Sequence, residues 1–78
     1  MKNYRQAIDE YKRTIDLDPD DGEAVYGLGL AYDQLKNMKA ALFWYRKFIA
    51  MITDHGMNPS FVEYAKRRLK EIEGRKEH

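Results

Sequence analysis

The chain has 78 residues, 44% of them apolar and 35% charged, with 14 Lys+Arg against 13 Asp+Glu and no cysteine. A single domain of this size buries only about 60–65% of its unfolded surface and gains roughly 3–5 kcal/mol from one core, so its fold must be well idealised, hold a metal or be completed by a partner. Disulfide staples are excluded, a net charge of +1 gives no global field that selects nucleic acid or anionic lipid, and the longest apolar run, Ala40 to Tyr45, is far short of the ~18–20 residues of a membrane span.

Apolar residues at positions 4, 7, 8, 11 and 15 recur at helical spacing behind Asn3, whose side chain is suited to cap a first turn. Pro19-Asp20-Asp21-Gly22 then breaks the helix, because proline cannot continue it, and the acidic residues favour the start of the next one. Val25, Leu28, Ala31, Tyr32 and Leu35 mark a second helix. A third follows Asn37 with apolar positions 38, 41, 42, 45 and 49. Residues 53–58 read as a loop, and Asn58-Pro59 offers a cap followed by proline at a first helical position. The last helix carries Val62, Ala65, Leu69 and Ile72 and is expected to end at Gly74, with residues 75–78 frayed. With no period-2 segment, these elements predict an all-α antiparallel helix-turn-helix stack of four helices, roughly 14, 14, 16 and 15 residues long.

Sliding the chain by 34 residues lays Lys2-Asn3-Tyr4-Arg5-Gln6-Ala7-Ile8 on Lys36-Asn37-Met38-Lys39-Ala40-Ala41-Leu42, and Tyr11 and Ile15 on Tyr45 and Ile49. Similarity at one fixed offset is the mark of a repeat array. With Val25, Leu28-Gly29, Tyr32, Ala41 and Tyr45 in one complete unit, and Ala7, Tyr11 and Leu17-Asp18-Pro19 in the half unit before it, the chain resembles the tetratricopeptide repeat. Gly29 and Ala41 let two helices approach while Tyr32 and Tyr45 fill the space around them. The resemblance implies one domain over 1–78, made of a half repeat (1–20), a complete repeat (21–54) and a polar-faced capping helix (58–74). It departs from the family at Thr14 and Phe48, where a small residue is usual, at Thr53 in place of proline, and at Lys36-Asn37 in place of the turn glycine, although asparagine tolerates left-handed backbone.

The family also implies a function, that of a non-catalytic protein-interaction module, and the lack of cysteine fits a reducing cytoplasm as its place of work. In such proteins the first helix of each unit lines a groove for peptides. The matching positions are Glu23, Tyr26, Leu30, Asp33 and Gln34, and the first four point away from the core-facing Leu28, Tyr32 and Leu35 on a helical wheel. No Lys, Arg or Asn occurs among them to grip a ligand carboxylate. Tyr26 and Leu30 have two readings, as peptide contacts or as packing against helix four or a second chain.

The resemblance starts the chain on the second helix of a unit, so Tyr4, Ile8, Tyr11 and Ile15 of helix one expect a cover from helix four, a second copy or upstream sequence. Helix three carries Phe43, Trp44 and Phe48 where helix one has Asp9, Glu10 and Thr14. Its apolar arc spans about 200°, with Phe43 outside it beside Lys39 and Lys47. These seven residues are the candidates for self-association into a homo-oligomer, Trp44 and Phe48 having the plainer alternative of receiving helix four. Large exposed aromatics are enriched at interfaces.

Other chemistry finds no residues to carry it. Counting from Asp16, a calcium loop would need glycine at its sixth position and Glu at its twelfth, where Asp21 and Gly27 stand. No metal-ligand spacing, phosphate loop or nucleophile elbow occurs, so neither a cofactor nor a catalytic residue is expected, and His55 reads as a loop histidine. Lys66, Arg67 and Lys70 give helix four a basic outer face, but no aromatic interleaves them and Glu63 and Glu71 dilute it, which disfavours nucleic acid. The first 39 residues hold 6 basic and 8 acidic side chains and the last 39 hold 8 and 5, so acidic residues 16–23 of one copy are electrostatically matched to the basic helix of another.

Overall fold

The computed structural model describes residues 3–52 and 59–75. Four helices follow one another, α1 (Tyr4–Leu17), α2 (Gly22–Gln34), α3 (Met38–Met51) and α4 (Pro59–Arg75), with no strand among the described residues. The loop expected over residues 53–58, the Asn58 cap and the frayed end at 76–78 lie outside the described residues.

Side-chain caps start the first three helices. The Gln6 amide donates to Asn3 Oδ1 at 3.0 Å, the Ala24 amide to Asp21 Oδ1 at 3.1 Å and the Ala40 amide to Asn37 Oδ1 at 3.3 Å. Each cap satisfies an amide that the helix itself leaves unbonded. Before α2, the Asp18 amide closes α1 on the Thr14 carbonyl and the Asp20 amide donates to Asp18 Oδ1, so the acidic turn is held by its own backbone and the Asp18 carboxylate.

Two expectations are corrected. Lys36, not Asn37, takes the left-handed backbone between α2 and α3, with φ 66°, while Asn37 stays at φ −89° to cap α3. The reason is the C-terminal closure of α2. The Asn37 amide bonds to the Tyr32 carbonyl at 2.9 Å and the Lys36 amide to Asp33 at 3.0 Å, a Schellman pair that requires the residue after the cap to be left-handed. Gly74 does not end the last helix, which continues to Arg75, since no described glycine adopts positive φ and Gly74 remains an ordinary helical residue.

Helix α2 packs between α1 and α3, and α4 lies against α3. The larger core joins Val25 and Tyr26 of α2, Ala41, Leu42, Tyr45 and Phe48 of α3, and Ala65 and Ile72 of α4. A smaller one joins Ile8 of α1 to Leu28 and Ala31 of α2, with Ile15, Tyr32 and Trp44 touching both. Two glycines on α2 set the spacing. A Cβ on Gly29 would stand 2.7 Å from the Tyr45 ring, and one on Gly27 would stand 2.4 Å from the Tyr11 ring. Both neighbours of α2 thus lay a tyrosine on bare backbone.

Candidate functional site

A groove of about 530 Å³ opens where the second half of α1 meets the first half of α2 and the start of α4. Tyr11 and Thr14 line it from α1, Gly27 and Leu30 from α2, and Phe61 from α4. Asp21 and Glu23 stand among the lining residues, and among the described residues no lysine, arginine or histidine does. Asp21 is already engaged as the cap of α2, which leaves the exposed Glu23 as the free charge of the groove.

The five groove candidates divide between two places. Glu23, Tyr26 and Leu30 line this groove, Leu30 half-buried and Tyr26 only 8% exposed. Tyr26 stacks on Phe61 with centroids 4.6 Å apart and meets Phe48 at 5.0 Å and Tyr64 edge-on at 6.5 Å. Burial first, then the neighbouring Tyr64, raises its hydroxyl above the ordinary tyrosine range. Asp33 and the exposed Gln34 belong to a separate hollow of about 260 Å³ with Lys36 and Arg68.

Asp33 is the one buried charged residue described, at 6% exposure, and α4 serves it. Arg68 donates from Nε and Nη2 to the two carboxylate oxygens at 2.7 Å each, and the Tyr45 hydroxyl donates to Oδ2 at 2.9 Å. Burial, and then the bond to Asp33, lift the Tyr45 hydroxyl well above the ordinary tyrosine value. The bond to Asp33 is also the main reason that Arg68 holds its proton more tightly than usual. Tyr45, Asp33 and Arg68 therefore bind three helices through one carboxylate, a bidentate geometry that fixes direction as well as charge.

The self-association candidates also divide. Ile8 and Phe48 are buried, Tyr4, Tyr11, Ile15 and Trp44 are half-buried, and Phe43 is 57% exposed. The Phe43 ring stands edge-on to Trp44 with centroids 4.9 Å apart. A shallow hollow of about 450 Å³ beside it is lined by Lys39, Leu42, Arg46 and Lys47.

Sequence reasoning passed over Phe61, Tyr64, Arg68 and Gly27. Three of them could have been found from Ala65 and Ile72, because positions 61, 64, 65, 68 and 72 share one helical face while Val62 and Leu69 flank it. Gly27 carried no such signal, since the residue it accommodates lies on another helix.

Helices paired in antiparallel turns, packed through small residues and presenting a groove, define a helical-repeat binding scaffold. A family model described as tetratricopeptide repeat matches residues 1–54, and the chain belongs to that family, whose repeats are protein-interaction modules. No curated protein and no solved structure matches the chain. Among the described residues no group of three or more His, Cys, Asp or Glu is placed to hold a metal ion, and no helix is long and apolar enough to cross a membrane.

Proposed function

We propose that this domain recognises a short segment of a partner protein in the groove between α1, α2 and the start of α4, with a half repeat and a complete repeat forming the walls and α4 closing the stack. The ligand is an apolar side chain next to a basic one. The observation that carries the reading is the lining itself: Tyr11, Leu30 and Phe61 supply an apolar surface, Glu23 an exposed carboxylate, and among the described residues no cation lines the groove beside it. A groove of about 530 Å³ falls in the size range of sites that seat small ligands or one or two side chains. Burying a leucine-sized group gives roughly 1.5–3 kcal/mol before the cost of ordering the segment, so the affinity is modest and the charge contributes mainly orientation.

The test is fluorescence anisotropy with two labelled decapeptides that differ only in placing Arg or Glu next to a central Leu. The Arg peptide binds saturably and the Glu peptide does not. Glu23→Lys removes the preference without loss of helicity, and Leu30→Asp removes binding. Equal binding of both peptides, or indifference to Glu23→Lys, overturns the reading.

A second reading, association between copies of the chain through the flanks of α1 and α3, is supported by Phe43, the member of that set that stays exposed.

A further inference from the structure

Among the described residues the large apolar side chains left exposed are Leu17 at 87%, Phe43 at 57% and Leu35 at 38%. The first two stand in opposite electrostatic surroundings. Leu17 is the last residue of α1, and the exposed Asp16, Asp18 and Asp20 lie beside it in the chain. Phe43 lies on the outer face of α3, in a hollow lined by Lys39, Arg46 and Lys47. Arg46 is already paired with Glu73, whereas Lys39 and Lys47 are exposed one turn before and one turn after the ring.

Resting on the second reading above, we propose that Leu17 of one copy seats against the Phe43 hollow of a second copy, with its acidic neighbours facing Lys39 and Lys47. One surface is a knob in an acidic setting and the other a hollow in a basic one, so each meets its complement on another copy and not on itself. With one knob seated in one hollow the contact is head-to-tail, which leaves a free knob and a free hollow at the ends of every pair. The like-charged surroundings disfavour knob on knob and hollow on hollow, so charge fixes the polarity of the contact and, with the two apolar side chains, holds it. A patch of this size gives weak association that is visible only at high protein concentration.

Sedimentation equilibrium of the full chain and two variants, Leu17→Lys and Phe43→Glu, tests this. Both positions are exposed, and circular dichroism checks that each variant remains helical. At about 1 mM the weight-average mass of the parent chain rises past that of two copies without a plateau, and it falls toward one copy as salt is raised from about 50 mM to about 500 mM. Each variant alone stays a monomer. Their equimolar mixture forms a species of two copies and stops there, because one intact knob and one intact hollow remain. A parent chain that is monomeric at about 1 mM overturns both this contact and the second reading. Association that survives Leu17→Lys, or that plateaus at two copies, overturns the head-to-tail contact and leaves self-association standing by another surface.

Discussion

Arg68 on α4 holds the buried carboxylate of Asp33 on α2 with two hydrogen bonds of 2.7 Å, although 35 positions of sequence separate them. A fully paired carboxylate is tolerable in a small core, and an orphaned one is not. Arg68→Met should therefore cost about 2–3 kcal/mol, less than a fully buried pair would lose because the Arg68 side chain is 20% exposed. Adding Asp33→Asn removes the charge that has lost its arginine and leaves a carbonyl to accept from Tyr45, so the double variant should recover at least half of the loss. Urea unfolding of the two variants decides the matter. A double variant no more stable than Arg68→Met would mean that lost packing of the arginine stem, not charge, sets the cost.

Gly27 and Gly29 of α2 make a paired prediction. Adding a methyl group favours the helix by up to about 1 kcal/mol at either position. At Gly29 the methyl meets the Tyr45 ring near its base, and that ring is fully buried with its hydroxyl held by Asp33. It has nowhere to go. At Gly27 the methyl meets the outer end of the half-buried Tyr11 ring, which can swing outward. Gly29→Ala should destabilise by about 1–3 kcal/mol, and Gly27→Ala by less than 1 kcal/mol while narrowing the groove. Thermal unfolding ranks them, and the reverse order would contradict the packing described.

Lys36 stores strain that its side chain does nothing to offset. Its φ of 66° is imposed by the closure of α2, and a lysine there meets the Cβ clash that glycine avoids. Lys36→Gly should raise stability by about 1 kcal/mol and Tm by about 4–8 °C, scaled from domains of similar size. Lys36→Ala, which keeps the Cβ, should gain nothing. If both variants gained equally, removal of charge and not of strain would be the cause.

The helices were legible because each carries its own local signal. Asn3 and Asn37 stand before an apolar stripe, Pro19 breaks the chain, and the 34-residue offset aligns Tyr11 with Tyr45. The face of α4 was harder to place. Val62 and Leu69 pack half-buried at the flank of the core, and the helix is rotated so that Phe61, Tyr64 and Arg68 meet Tyr26 and Asp33. Ala65 and Ile72 mark that face within the helix, but which partners on α2 it meets, far away in sequence, no pattern within residues 59–75 contains. Asp33 shows the same limit: on its own helix it lies opposite Leu28 and Tyr32 and reads as outward-facing, and a later helix turns that outward face into interior.

Alkaline pH should reveal the Tyr45–Asp33 contact. Burial and the adjacent carboxylate raise the Tyr45 hydroxyl above its ordinary value of 10.0, and burial raises Tyr26. The folded chain therefore keeps protons that the unfolded chain releases above about pH 10, so the stability from these groups is complete below pH 10 and falls as pH rises beyond it. Each such group contributes a slope of about 1.4 kcal/mol per pH unit until its native form also ionises. Tyrosinate absorbance from Tyr26 and Tyr45 should appear together with the loss of helical circular dichroism. Tyr45→Phe should cost about 1 kcal/mol at neutral pH by removing one donor from Asp33. Above pH 10 it should also flatten the fall by one proton's worth, a change that mere loss of packing would not produce. A variant with the parent's alkaline slope would show that the Tyr45 hydroxyl ionises in the folded chain as freely as in the unfolded one.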